Sequence, residues 1–570
     1  MSNQQKAKTG AESVLLGIKR AGIDYLFANA GTDFPPIIKA LLALPNEQLP
    51  CPVIAPHETA AVGMAHGYYL VTGKPQAVMV HVNVGLANAA MGVINAASDN
   101  IPMLVMSGRT PITQKGRAGA RATPIQYGQE MYDQTSLVRD VVKYSYEMRY
   151  PEQGESLVTR AVAVACQAPM GPTYLSLPRE PLDAEIPTET GDIDRSAPTI
   201  QAAADETQLT QLASWIAAAH QPLILVQRSA PDGVMAATLL TFTEQYGIAV
   251  VEPFSVRNVM PTQHPAFLGY SASTAIAEAD LILAIDCDIP WVERTQRPNP
   301  DAKIIHLGTD PLFSRMPFRE YPSDLNLSGE PASSLAKLSQ ILGGKLDASD
   351  PAIRQRSLRL ATKTATTRSA RETKARSGTT GTITSEWLSI CVSDIMDDQA
   401  VAFTELGLLA PCMTLRGANR LFSNVHAGGL GWAMPAALGA QLADRDRLTI
   451  ACIGDGSYIF ANPVACHQIA EALDLPLLTI VKNNAMWNAV RRSVLRDLPA
   501  GTAAMANEIP FTSLEPVPDF TKTAAASRAH VERVERAEEL PAALKRAVEV
   551  IRREKRQVLL DVITAASDEH

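Results

Sequence analysis

Residues 454–484 read GDGSYIFANPVACHQIAEALDLPLLTIVKNN. An apolar run, Leu448-Thr449-Ile450-Ala451-Cys452-Ile453, leads into them, and a second run from Leu477 to Val481 closes them. The stretch between has helical character. The segment therefore reads as a strand–helix–strand unit with Asp455 at one strand end and Asn483-Asn484 at the next. Gly454 and Gly456 leave backbone N–H groups open to close approach by phosphate oxygens. A carboxylate and an amide at such strand ends suit a hard divalent cation that takes few protein ligands and completes its octahedron with phosphate oxygens. Asp455, the Asn484 side chain and the Met486 carbonyl are the expected metal ligands, and Ser457 is an expected phosphate contact.

Outward from this unit, apolar runs alternate with helical patterns along most of the chain. They include Tyr25 to Ala28, Gln76 to Val84, Met103 to Ser107, Thr173 to Leu177, Leu223 to Val226, Ala249 to Val251, Leu281 to Ile285 and Lys303 to Leu307. Continuous runs of this kind are strands buried on both faces of parallel sheets. Helices between them make doubly wound α/β domains. A chain of 570 residues has room for about three or four domains. Three are expected: residues 1–187, residues 203–343 after a linker 188–202, and residues 381–570. Residues 344–380 read as a basic polar linker with Arg354, Arg356, Arg359, Lys363, Arg368, Arg371, Lys374 and Arg376. This stretch is either a solvated linker or exposed helix, or a surface for anionic ligands or another subunit.

Composition narrows the function classes. The chain carries 51 Lys+Arg against 59 Asp+Glu, a net charge of −8, which argues against bulk nucleic-acid binding. No apolar run reaches membrane-spanning length, and the opening MSNQQKAKTGAES lacks the apolar core of a signal peptide. Seven cysteines are scattered singly with no CxxC, so no structural zinc and a reduced, cytoplasmic compartment are expected.

GDGS, a helix, an apolar strand and NN together resemble the fingerprint of thiamine diphosphate (ThDP)-dependent enzymes. The spacing from Asp455 to Asn484 is about two residues longer than is usual in that family, and Lys482 stands where an apolar residue is common. Asn483 is therefore the alternative to Asn484. Three further segments carry the resemblance. In Pro56-His57-Glu58-Thr59-Ala60-Ala61, Glu58 is similar to the family's activating glutamate, a carboxyl in an apolar setting that hydrogen-bonds the aminopyrimidine and favours its imino tautomer. In His81-Val82-Asn83-Val84-Gly85, His81 resembles the proton-relaying histidine of benzoylformate decarboxylase, with the same separation from the glutamate. Imidazole titrates near neutrality, which suits a group that gives and takes back a proton. In His426-Ala427-Gly428-Gly429-Leu430-Gly431, Leu430 resembles the residue that props the cofactor in its bent form, and a carbonyl near Gly428 the one that holds the aminopyrimidine.

The resemblance implies three doubly wound parallel-sheet domains: a PYR domain (1–187), a central domain (203–343) and a PP domain (381–570). It implies ThDP and Mg²⁺ as cofactors. It also implies a homodimer or homotetramer in which Glu58 of one subunit meets the diphosphate site of another. Departures bear on the substrate. Glu405-Leu406-Gly407 replaces a Ser or Thr against the diphosphate. The second histidine of benzoylformate decarboxylase aligns near Glu293. Gln129, in Tyr127-Gly128-Gln129-Glu130, is similar to a glutamine of acetolactate synthases. Neither Val226-Gln227-Arg228-Ser229 nor Phe267-Leu268-Gly269-Tyr270 offers the glycines a dinucleotide wants, so no FAD is expected. Arg491, Arg492 and Arg496 read either as a grip on a substrate carboxylate or as an exposed basic helix. The expected activity is non-oxidative decarboxylation or carboligation of 2-oxo acids, like benzoylformate decarboxylase, with an acetolactate synthase-like carboligase as the alternative. A ThDP-fold assembly subunit without catalysis is the alternative of another class, and Glu58 together with Asp455 counts against it.

Overall fold

The computed structural model describes residues 6–187, 199–497 and 509–566; the expected linker 188–202 lies largely outside them. The chain forms two compact units. One holds residues 1–200, 425–445 and 459–475, and the other residues 201–424, 446–458 and 476–570. Among the described residues, three six-stranded sheets, parallel throughout, form the frame. This is the three-sheet α/β architecture expected from the apolar runs.

The first unit contains β1 (Tyr25–Asn29), β2 (Cys51–Ile54), β3 (Gln76–Val80), β4 (Met103–Arg109), β5 (Ser145–Glu147) and β6 (Pro172–Pro178), in the order β2-β1-β3-β4-β6-β5. Every residue of β3 and β6 is buried, which is why these strands read as unbroken apolar runs. The run Gln76–Val84 was expected to be one strand. Instead β3 stops at Val80, and Val82 opens the helix Val82–Ser98. The alanines of that segment favour helix, and Asp33 takes the first free N–H, that of Val82, at 3.3 Å.

The second unit contains two sheets. β7 (Pro222–Val226), β8 (Ala249–Val251), β9 (Phe267–Gly269), β10 (Leu281–Ile285), β11 (Lys303–Gly308) and β12 (Leu325–Ser328) run β12-β11-β10-β7-β8-β9. Read from the other edge this is the 3-2-1-4-5-6 order of dinucleotide-binding sheets. β13 (Val401–Glu405), β14 (Leu421–Phe422), β15 (Thr449–Gly454), β16 (Leu478–Asn483), β17 (His530–Val534) and β18 (Val558–Ile563) run β14-β13-β15-β16-β18-β17. Numbered within each sheet, the first and third share one order, 2-1-3-4-6-5. Each reverses between its first and third strands, so the two have equivalent switch points.

The basic stretch forms a 26-residue helix, Pro351–Arg376, capped by Asp350 with proline in the first turn. Only Ile353, Thr364 and Ala375 are buried along it. Thr364 Oγ1 ties it to the second sheet through the carbonyls of Pro265 and Phe267, at 3.0 and 3.2 Å. No helix among the described residues is long and apolar enough to cross a membrane.

Candidate active site

In open parallel sheets, ligands bind beyond the carboxyl ends of the strands at the point where strand order reverses. In the first sheet that point lies between β1 and β3. The residues following β1, β2 and β3 meet there, and they include Asp33, Glu58 and His81.

Glu58 opens the helix Glu58–Thr72 and is buried. Its setting is more polar than the sequence suggested. Asn29 Nδ2 donates to Oε1 at 2.9 Å and Asn88 Nδ2 to Oε2 at 3.1 Å. A buried carboxyl costs least when its oxygens are paired, and two neutral amides do this without an ion pair. One lone pair per oxygen remains for a ligand.

His81 caps the helix that follows β3. Its Nδ1 lies 2.5 Å from Asp33 Oδ1, and its Nε2 lies 3.1 Å from Gln129 Nε2. Asp33 is buried and accepts the Val82 N–H on its other oxygen. Val82 has φ +31°, in a region that β-branched residues avoid, so one carboxylate holds both the imidazole and a strained turn. The Asp33 hydrogen bond raises the His81 pKa; burial works against it, and the charges of Asp33 and Glu58 add to it. Close approach fixes the pair. A Cβ on Gly31 would stand 2.1 Å from His81 Nδ1, and one on Gly108 1.7 Å from Asp33 Oδ2. The structure thus joins His81 and Gln129, both singled out from sequence, through contact, and adds Asp33, Asn29 and Asn88.

Gly428 (φ +67°) and Leu430 lie in the same unit. Leu430 lines a small crevice with Val62, Met91 and Trp432. Between them, Gly429 is gripped by Asn95, whose amide donates to the Gly429 carbonyl at 2.9 Å and accepts its N–H at 3.1 Å.

The third sheet reverses between β13 and β15, and Asp455 follows β15. Its Oδ1 accepts the Gly456 N–H at 2.8 Å and its Oδ2 the Asn484 N–H at 3.0 Å. Burial raises the Asp455 pKa, opposed by the N–H groups of Gly456, Asn484, Ala485 and Met486. Asn484 Oδ1 accepts the Met486 N–H at 3.2 Å, and the Met486 carbonyl accepts from Asn488 at 2.9 Å. Asn483 is instead turned into the sheet, its amide donating to Asp561 at 3.0 Å. Lys482 is buried beside it; burial lowers its pKa, while Cys452 and Asp455 act in the opposite direction.

The residues around Asp455 fit a cation-bound diphosphate on three observations. Among the described residues the hydrogen-bond partners of the buried Asp455 carboxylate are N–H groups. Ser457 Oγ is buried and finds no hydrogen-bond partner among the described residues. Gly454 faces no atom closer than 3.8 Å to a built Cβ. Gly456 has another role: its Cβ would lie 2.3 Å from the Trp487 ring. At the end of β13, Leu406 adopts φ +59°, and its N–H goes to Asn424 Oδ1 at 3.2 Å.

Other predicted residues lie elsewhere or are otherwise engaged. Glu293 accepts the Trp291 indole N–H at 2.6 Å. Arg491, Arg492 and Arg496 lie on the helix Asn488–Asp497, which buries no residue. In the second sheet the switch point lies between β7 and β10, where a dinucleotide would bind. Here Gln227 donates to the carbonyls of Pro253 (2.9 Å) and Ile289 (2.8 Å), and Arg228 pairs with Asp288 at 3.0 Å. Buried protein side chains cross this crevice.

Family models for the N-terminal, central and C-terminal domains of thiamine pyrophosphate enzymes match residues 8–137, 209–338 and 407–562. An acetolactate synthase large subunit of Haemophilus influenzae is 24% identical over 91% of this chain and 88% of its own length. One of Lactococcus lactis is 23% identical over 86% and 83%. A Pseudomonas aeruginosa protein named "Probable 2-ketoarginine decarboxylase AruI" is 26% identical over 86% and 85%. The fold is also similar to that of a solved Mycobacterium smegmatis protein titled "a putative thiamin diphosphate-dependent enzyme", with a TM-score of 0.77, 23% identity and coverage of 98% of this chain and 100% of that one.

Proposed function

The chain belongs to the thiamine pyrophosphate enzyme family, and from that premise we propose that it is a ThDP- and Mg²⁺-dependent, non-oxidative 2-oxo acid decarboxylase of the benzoylformate decarboxylase-like kind, with carboligation as a side reaction. The observation that carries this reading is the Asp33–His81–Gln129 chain within electrostatic reach of Glu58.

ThDP, when bound, supplies a carbon nucleophile for the keto carbon and takes up the electrons left as carbon dioxide departs. Asp455, Asn484 and the Met486 carbonyl would hold the cation. Ser457 with the backbone of Gly454 and Gly456 would hold the diphosphate, and Glu58, Gly428 and Leu430 the ring end. Glu58 presents its carboxyl to the aminopyrimidine as the group that would share a proton with it. Asp33 accepts from Nδ1–H, which leaves Nε2 as the atom of His81 that moves a proton to the product carbon or oxygen. Gln129 donates to Nε2 of the neutral ring and can turn its carbonyl oxygen to the charged one, so it can serve both protonation states.

Residues 1–187, 203–343 and 381–570 are the corresponding PYR, central and PP domains in this reading. The assembly is a homodimer or homotetramer in which Glu58 and Asp455 of different subunits complete each site, in a cytoplasmic setting. No flavin is included, because Gln227 and Arg228 occupy the crevice it would need.

A second reading, an acetolactate synthase-like carboligase, draws support from the names of the relatives and from Gln129. Turnover of pyruvate, benzoylformate and a branched-chain 2-oxo acid, with carbon dioxide, aldehyde and acetolactate scored separately, decides between them. Aldehyde in proportion to carbon dioxide is expected. Acetolactate as the main product from pyruvate would favour the second reading.

A further inference from the structure

The basic helix Pro351–Arg376 covers a cavity that the cofactor chemistry does not use. The cavity lies at the amino ends of β7 and β8, the end of the second sheet opposite its switch point. Its volume is ≈ 200 Å³. Leu223, Ala249, Leu268 and Leu360 give it apolar walls, and Arg356, Arg359 and Lys363 line it from the helix.

The charges around it do not balance. Arg356 spends its donors on main-chain carbonyls, those of Gly247 (2.8 Å), Ala219 (3.2 Å) and Tyr246 (2.6 Å), and so keeps its charge while being held rigidly. Arg359 forms no ion pair among the described residues and stands one helical turn from Arg356 and Lys363. Glu278, which also lines the cavity, pairs with Lys363 at 3.0 Å. The oxygens of the nearby Asp280 accept the N–H groups of His220 and Gln221 at 2.7 and 2.9 Å. Arg359 therefore faces the apolar hollow with no ion-pair partner among the described residues, and Arg356, in electrostatic reach of Asp280, sets a second, rigidly held positive charge beside it.

An apolar cavity of about 150 Å³ takes a benzene ring, so this one has room for a ring-sized body and a charged head. A concave apolar site with a few fixed polar groups is the usual form of a small-molecule site. We propose that this cavity is a second binding site, for a small monoanion with an aromatic or branched apolar body and a carboxylate head, the head meeting Arg359 and the body lying against Leu223, Leu268 and Leu360. The inference is independent of the ThDP reading.

Calorimetric titration of the full-length protein with benzoate, with benzyl alcohol (the body without the charge) and with inorganic phosphate (the charge without the body) tests it. Benzoate is expected to bind at least tenfold more tightly than either control. Arg359→Glu, at an exposed position that does not threaten folding, is expected to weaken this benzoate binding at least tenfold. Ala275→Trp, which fills the cavity, is expected to remove it, and benzoate bound elsewhere would survive both changes. Benzoate affinity unchanged in Arg359→Glu, phosphate binding as tightly as benzoate, or no benzoate binding would overturn the proposal.

Discussion

One carboxylate, that of Asp33, holds the His81 imidazole on one oxygen and the Val82 N–H on the other. Nothing in Thr32-Asp33-Phe34 marks it as more than a turn carboxylate, and it lies 48 positions from His81. Only the pairing of β1 with β3 brings the two together. Its contact raises the His81 pKa, and the sign of the consequence is fixed. A histidine whose folded-state pKa is raised stabilises the fold fully below its unfolded value, about 6.5. That contribution is lost as pH rises through the folded value. Asp33→Asn is therefore expected to destabilise the protein most below about pH 6.5, with the gap from wild type closing at higher pH. It should also shift the His81 limb of the kcat/KM profile to lower pH. Denaturation midpoints and rate profiles across pH check both, and a stability gap that widens as pH rises would exclude the pairing. Asn483 and Asn484 show the same limit of sequence reading. Two adjacent amides at a strand end are indistinguishable in one dimension, but strand alternation turns Asn483 toward Asp561 and leaves Asn484 beside Asp455.

Apolar runs made most strands legible because strands buried on both faces leave no polar alternation to misread. The boundary at Val80 was not legible, because Val82 and Val84 continue the apolar run while their backbone has turned helical. Glu58 was legible as a candidate from sequence, but the reason for the small residues in the helix Glu58–Thr72 that it opens lies in packing. This helix crosses the helix Ala433–Ala443 so closely that a Cβ on Gly67 would stand 1.8 Å from the Ala436 carbonyl oxygen, and one on Gly439 2.0 Å from that of Met64. Side chains there would collide with backbone, which cannot rotate away. Gly67→Val is expected to cost about 3 kcal/mol and to misplace Glu58, since both lie on one rigid element. Gly128→Ala, with nothing within 4 Å of its built Cβ, should stay within about 0.5 kcal/mol. Chemical denaturation of the two variants tests the contrast, and equal losses would show that the helix crossing is not tight.

The first and third sheets repeat one strand order, and the candidate side chains lie at equivalent places: Asp33, Glu58 and His81 at the reversal in one, Asp455 and Ser457 at the reversal in the other with Asn484 at the next strand end. In the proposed reading each of the two sheets carries part of the machinery, the first the proton-handling groups and the third the groups that would hold the diphosphate and the metal. If subunits share the sites as proposed, Glu58→Gln and Asp455→Ala subunits are each inactive alone. A randomly reassorted mixture then recovers about a quarter of wild-type activity, since half of the dimers are mixed and each of these has one intact site of two. No recovery after verified subunit exchange would place both halves of a site in one subunit. The most direct measurement is carbon dioxide release from benzoylformate, pyruvate and a branched-chain 2-oxo acid by wild type and Glu58→Gln, each saturated with ThDP and Mg²⁺. Wild type is expected to decarboxylate at least one of them, with Glu58→Gln slower by about 100-fold or more while still binding the cofactor. Decarboxylation by Glu58→Gln at the wild-type rate, or none by wild type on any of the three, would contradict it.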